Sequence, residues 1–235
     1  MKRLLTNIIK KAQPQRKQVE RPGRGVDLRP RIGIFLPPPE TVPAPRRGEP
    51  AAEGFADNQP QILTEWMKSA REYFRQFLAV LRTRELIVYE DLDQYIKTGE
   101  IYNDFRFIAA DATVRKSSIL KAGRLGGSTG NVDRDLKYLP NLRLLFVFGM
   151  KNWEALHKRY RLTLLGPRTL PSSTRITKVH GLPFCMEFGG QKIIVIPLVQ
   201  MDQKVFNNLL RNSYFDYLGE GLDAAGEFLL TPSAV

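Results

Sequence analysis

The chain is poor in cysteine and histidine, with one of the first and two of the second among 235 residues. A lone Cys185 cannot build a disulfide framework, and a thiolate-ligated zinc site needs several cysteines. It fits a reducing, intracellular compartment or a cysteine that is simply packed. His157 and His180, expected on a helix surface and at a strand end, cannot form a metal site by themselves. Long apolar runs are also missing. A membrane-spanning helix needs about 18 such residues, and the longest stretches here, such as Leu144 to Phe148, are strand-sized. Catalytic signatures are absent too: no GxxxxGK[ST] phosphate loop, no HExxH, no nucleophile elbow. Gly123, Gly126, Gly127 and Gly130 neither make GxGxxG nor open a helix directly from a strand. No metal and no cofactor is expected.

Positive charge, by contrast, is abundant. Thirty-six Lys and Arg against 24 Asp and Glu give a net +12, in a chain whose 43% apolar content is that of an ordinary folded protein. The excess is unevenly placed. Residues 1–31 carry +8 and residues 104–178 carry +10, while 32–103 and 179–235 carry −3 each. Concentration in an arm and one internal stretch is the pattern of a surface that faces a polyanion, and nucleic acid is the expected partner, with no membrane association.

The arm has two parts. Leu4, Leu5, Ile8 and Ile9 recur at helical spacing among Lys2, Arg3, Lys10 and Lys11, a short basic amphipathic helix. Beyond Gln13 the arm turns Pro, Gly and Arg rich, with Arg16 and Lys17 at its start, and should be extended. No acid precedes Glu20, which would also suit organelle import, but Ser, common in import sequences, is missing; a retained arm is the expectation.

Ten of the sixteen prolines fall in residues 14–60, interrupted by the buried-strand run Ile32 to Leu36. Pro60 opens a long helix, Gln61 to Arg82, with Ile62, Leu63, Trp66, Tyr73, Phe74, Phe77 and Leu81 on one broad face. Leu86 to Tyr89 reads as a short strand, Asp91 to Lys97 as a helix ended by Gly99, and Phe105 to Ala110 as a strand. A loop from Asp111 to Gly130 follows, and Asn131 begins a short helix. Leu142 to Phe148 is the most strand-like run, and Gly149 leads from it to a helix over Asn152 to Arg161. Ile176 to Val179, Phe184 to Phe188 and Lys192 to Ile196 read as strands, the last two joined through Gly189-Gly190. Helices over Gln203 to Arg211 and Tyr214 to Phe228 close the chain. This alternation predicts an α/β fold, a three-layer sandwich with a mainly parallel central sheet. Residues 1–30 form the basic arm, 31–230 the domain and 231–235 a tail.

The order of these elements resembles the uracil-DNA glycosylase superfamily. Ile32 to Leu36 leads into Pro37-Pro38-Pro39, with Pro39 at the family's proline. Glu53-Gly54-Phe55 is similar to its base-stacking aromatic segment, and Phe107 to Asp111 to its second strand, with Asp111 where Asn would stand. Leu144 to Gly149 is similar to the third strand. Val195 to Asp202 resembles the last strand, with Gln200 in the position of the family's His. No signature motif is intact.

The resemblance implies that Phe55 stacks on a flipped base and Asp111 reads its edge. An ionised Asp111 offers acceptors only, which disfavours uracil and favours a base with an exocyclic amine. Cleavage of a glycosidic bond leaves negative charge on the base and positive character on the sugar. The family answers these with the His and a carboxylate. Gln200 can still donate a hydrogen bond, but Pro37 and Pro38 stand where the carboxylate would be, and Glu40 is the nearest replacement. Ordinary roles compete at each position: Asp111 as a loop cap, Phe55 as core, Gln200 and Asp202 as the start of the helix at Gln203. In the loop, Arg115, Lys116, Lys121 and Arg124 among Ser and Gly make a phosphate-tracking surface.

The sequence thus predicts a nucleic-acid-binding protein, DNA before RNA, that is catalytically degenerate or acts on a base other than uracil. The alternatives are a structural component of a ribosomal or replication assembly that uses its arm as anchor alongside other proteins, and a protein-protein adaptor.

Overall fold

A computed structural model describes residues 32–37, 59–109, 136–137, 139, 142–166, 175–200 and 213–230. Three apolar runs set the centre of the fold. Strand β1 (Ile32–Leu36) and strand β3 (Leu144–Phe148) are buried at every position. Strand β6 (Gln191–Leu198) is buried over its last six residues. A strand buried at successive positions must be covered on both faces, which is why these runs lack polar alternation.

Together with β2 (Phe105–Ala109), β4 (Leu162–Leu164) and β5 (Phe184–Phe188) they form one six-stranded sheet in the order β2-β1-β3-β6-β5-β4. The first four strands are parallel, and β5, the hairpin partner of β6, and β4 beyond it add antiparallel pairing. Register runs straight across the centre: Ile34 lies beside Phe107 and Phe146, and Phe146 beside Ile196. The sheet is therefore mixed and mostly parallel, as the strand and helix alternation predicts. Gly189 and Gly190, at φ 57° and 80°, make the expected β5–β6 turn.

Alternate side chains feed two apolar clusters. Ile32, Ile34, Leu36, Phe146, Phe148, Ile196 and Leu198 pack with the stripe of α1 (Gln59–Thr83) and with residues of α2 (Leu92–Lys97), α3 (Ile101–Asp104) and α6 (Tyr214–Leu230). Phe35, Leu145, Val147 and Val195 pack with Trp153 and Leu156 of α4 (Met150–Arg159) and with Val179 of α5 (Ile176–Val179). Aromatic edges lock the first cluster: Phe77 meets Phe146 at 4.9 Å and Phe148 at 5.6 Å. Arg84, just past α1, donates to the Gly219 carbonyl at 3.0 Å and to the Asp223 carboxylate, tying α1 to α6.

Several expected elements differ. Ile176 to Val179 is a helical turn instead of a strand. Its β-branched residues invite the strand reading, but the Arg175 carbonyl accepts from Lys178 and Val179, and Ile176 donates its N–H to Met150 Sδ. Leu86 to Tyr89 is not a strand, because the end of α1 closes there: Glu85 is left-handed at φ 56° and Leu86 N–H returns to the Leu81 carbonyl. The three-residue β4 and the one-turn α3 are additional elements. Helix α1 starts at Gln59, with Pro60 in its first turn where a missing N–H costs nothing. The arm, the loop over 111–130, the helix over 203–211 and the tail lie outside the described residues, and of the helix from Asn131 only Leu136 and Lys137 are described, both helical. Among the described residues no helix is long and apolar enough to cross a membrane.

Candidate functional site

In a parallel sheet the chain leaves every strand at the same edge, and a crevice opens there where consecutive connections run to opposite sides. Here β1 is followed by β2 on one side, and the next parallel strand, β3, lies on the other. The crevice therefore lies at the carboxyl ends of β1 and β3, with β6 adjoining. Three short segments occupy it: Leu36-Pro37, Phe148-Gly149 and Leu198-Val199-Gln200.

Gly149 is the hinge of this group. Its backbone sits at φ 88°, ψ 150°, a conformation that side chains resist, and its N–H donates to the Leu198 carbonyl at 2.9 Å. A Cβ placed there would lie 3.5 Å from Pro37 Cγ and 3.9 Å from Gln200 Cβ and Oε1. Pro37, half-buried, and Gln200, exposed, thus converge on the missing side chain of Gly149.

Gly149 is also the N-cap of α4 and supplies no capping side chain. The amides of the first turn have no acceptor within the helix and carry its positive dipole end, which suits an oxyanion or a carbonyl edge. Asn152, the third residue of the helix, is only 3% exposed, and its Nδ2 has no hydrogen-bond partner among the described residues. Trp153, about 100° around the helix, packs on Phe184 of β5 at 5.0 Å. Asn152 therefore points to a different side of α4 from Trp153, and helical side chains tilt towards the N-terminus, here the end at Gly149. Trp153 Nε1 is also without a partner among the described residues but belongs to the β5 side.

The strand that presents Gln200 is held by a buried histidine. His180 Nδ1 accepts from Val199 N–H at 3.2 Å, which leaves the proton on Nε2, and that nitrogen donates to the Tyr214 carbonyl at 3.0 Å. The ring also lies 4.8 Å from the Tyr214 ring. Burial lowers its pKa to about 4, against a smaller upward effect from the Tyr214 carbonyl. Gly181 N–H meets the Pro197 carbonyl at 2.9 Å, and Gly181 lies so close to α6 that a Cβ on Gly221 would collide with its carbonyl. Tyr73 faces the Val199 carbonyl at 3.5 Å, and burial raises its pKa.

Of the residues proposed from sequence, Gln200 is in the crevice. Glu40, Phe55, Asp111, Lys10, Lys11, Arg16, Lys17, Arg115, Lys116, Lys121 and Arg124 lie outside the described residues. His157 is on the exposed side of α4, as expected, whereas His180 follows a helical turn, not a strand, and is buried. Asn152 was the residue that sequence reasoning passed over. Its signal is a polar residue at the core-facing positions of a helix beside Trp153 and Leu156. Among the described residues no cluster of His, Cys, Asp and Glu could hold a metal. No protein-family model and no curated protein matches the chain.

Proposed function

We propose that the protein binds nucleic acid, DNA in preference to RNA, and presents a base to the crevice at the carboxyl ends of β1, β3 and β6, with little or no cleavage of the glycosidic bond. The observation that carries this reading is the convergence of Pro37 and Gln200 on Gly149. It brings together three segments that the glycosylase resemblance singles out, in a three-layer arrangement supported by apolar clusters on both sheet faces. The +10 of residues 104–178 supports the choice of a polyanion.

Chemically, the crevice can stabilise negative charge better than positive. The Gln200 amide and the N-terminal end of α4 offer donors to an electron-rich base edge or a phosphate. At the end of β1, Pro37 supplies no carboxylate for a sugar cation. Loss of one electrostatic stabiliser costs about 3 kcal/mol, or a hundredfold or more in rate, which is why binding is retained in this reading and turnover is not.

Fluorescence anisotropy with labelled DNA and RNA across a salt series tests it. Affinity for DNA should fall steeply with salt, and removal of residues 1–30 should flatten the slope; a salt-independent affinity overturns the proposal. Tighter binding to RNA of equal length favours a structural role in a ribonucleoprotein. Incubation with duplexes carrying modified bases should leave few or no abasic sites. Rapid formation of such sites, abolished by Gln200→Ala or Glu40→Ala, would make the protein an active glycosylase.

A further inference from the structure

The two faces of the sheet differ in how their charges are compensated. On the side of α1, α2 and α6, acids outnumber cations and four of the six cations are ion-paired, Lys68 with Glu65, Arg71 with Asp93, Arg75 with Glu72 and Arg84 with Asp223, while Arg82 lies over the Tyr89 ring and Lys97 is in no ion pair among the described residues. The segments of the opposite side, α4 with the residue pair after it and α5 with the residue before it, hold Lys151, Lys158, Arg159, Arg161, Arg175 and Lys178, all exposed. Glu154 is the one acid among them. No ion pair among the described residues engages Lys151, Lys158, Arg161 or Lys178.

We infer that the exposed side of α4 and α5 is a second contact surface that follows a nucleic-acid backbone leading away from the crevice. The inference rests on the proposed function and adds to it a surface that the loop over 111–130 does not supply. Lys151 and Lys158 are seven residues apart, so they lie on one side of α4 about 10 Å from each other. That is about three steps of a duplex strand at 3.4 Å each. Lys151 stands in the first turn of α4, beside Gly149. The Ile176 N–H bond to Met150 Sδ, 3.2 Å, brings the start of α5 to the same place. The cations thus begin at the crevice rim and continue along α4.

A lipid surface is the weaker match. Peripheral membrane helices insert large apolar side chains beside their cations. The exposed large apolar residues described here, Val88 and Tyr217, belong to the turn after α1 and to α6. What the α4 and α5 side offers is charge without an apolar wedge, which is the chemistry of phosphate contacts that position without reading sequence.

The test compares wild type with a variant in which Lys151, Lys158, Arg161 and Lys178 are all replaced by Gln, and with a control carrying Lys68→Gln and Arg75→Gln on the ion-paired side. Each is titrated with a labelled duplex from low to moderate salt, and folding is checked by circular dichroism. The fourfold variant should bind at least tenfold more weakly at low salt, with the slope of log affinity against log salt reduced by about 2 to 4; the control should match wild type. If wild type itself does not bind, the functional reading fails. If wild type binds and the folded fourfold variant keeps the same affinity and slope, the surface assignment fails alone. Should the fourfold variant unfold, Lys151→Gln and Lys178→Gln singly should each lower the slope by about 0.9, and unchanged slopes overturn the assignment. Binding of wild type to phosphatidylserine vesicles but not to DNA would also overturn it.

Discussion

Gln59 completes the hydrogen bonding of Phe107 on the edge strand β2. Its Nε2 donates to the Phe107 carbonyl at 2.7 Å, and its Oε1 accepts the Phe107 N–H at 2.6 Å. These are the two bonds that a further strand would make to this residue, whose neighbour on the other side is β1. A single side-chain amide at the start of α1 thus occupies the middle of an edge that would otherwise offer a template for strand addition.

Replacing Gln59 by Ala leaves two buried backbone groups without partners, at about 1–3 kcal/mol each. We expect Gln59→Ala to lose about 2–6 kcal/mol in urea unfolding. Gln59→Glu should also destabilise, because an ionised carboxylate cannot donate to the Phe107 carbonyl. A loss below about 0.5 kcal/mol for both variants would show that water or another group satisfies Phe107.

Gly149→Ala forces a side chain into a conformation reserved for glycine and aims its methyl at Pro37. Strain of this kind costs about 1–3 kcal/mol. For a domain of this size the melting temperature should fall by roughly 2–4 °C per kcal/mol. Nucleic-acid affinity should fall more than stability predicts, since the methyl fills the space on which Pro37 and Gln200 converge. Equal stability and unchanged binding would remove Gly149 from the site.

Asn152→Ala separates binding from folding in the other direction. The buried Nδ2 has no partner among the described residues, so its removal should leave stability unchanged or raise it by about 1 kcal/mol, near the lower end of the cost of an unsatisfied buried group. If the amide meets a ligand in the crevice, affinity should fall severalfold in the same variant. A destabilisation of several kcal/mol with unaltered affinity would assign Asn152 a purely structural role.

His180 makes stability depend on acidity. Its folded pKa, about 4, lies below the ordinary value of 6.5, so between these limits the unfolded chain binds more protons than the native one. Stability should therefore be independent of this group above pH 6.5, fall as pH drops towards 4, and level off below. The total loss is about 3 kcal/mol. Protonation of the native ring, as pH falls through about 4, also removes the acceptor for Val199 N–H, so Gln200 should lose its placement only there. His180→Phe should abolish this part of the pH dependence in denaturant titrations between pH 4 and 7; an unchanged profile would place the titration elsewhere.

How far the chain could be read in advance depended on whether a residue's partners are near it in sequence. β1, β3 and β6 are legible because a strand covered on both faces must be apolar at consecutive positions, and α1 because its stripe repeats for six turns. Gln200 falls in the crevice because it ends a legible strand. The short elements misled: Ile176-Thr177-Lys178-Val179 has strand composition, yet Met150 and the buried Val179 hold it as a turn of helix. Gln59 and His180 could not be assigned in advance, and Asn152 stands out in the sequence only as a polar residue on a core-facing stripe. The first two owe their roles to backbone groups 48, 19 and 34 residues away, and the third to a packing position that only the assembled sheet defines.

The contrast between the ion-paired and the uncompensated sides has a consequence for motion in solution. Positive charge displaced to one side of the sheet gives the described part of the protein an electric dipole roughly along the sheet normal. Any negatively charged body then exerts a torque before it makes a contact, and the α4 side turns towards it. Captured on a sulfonated or phosphorylated resin, the molecules should share one orientation, with α1 and α6 outward and open to antibodies or protease.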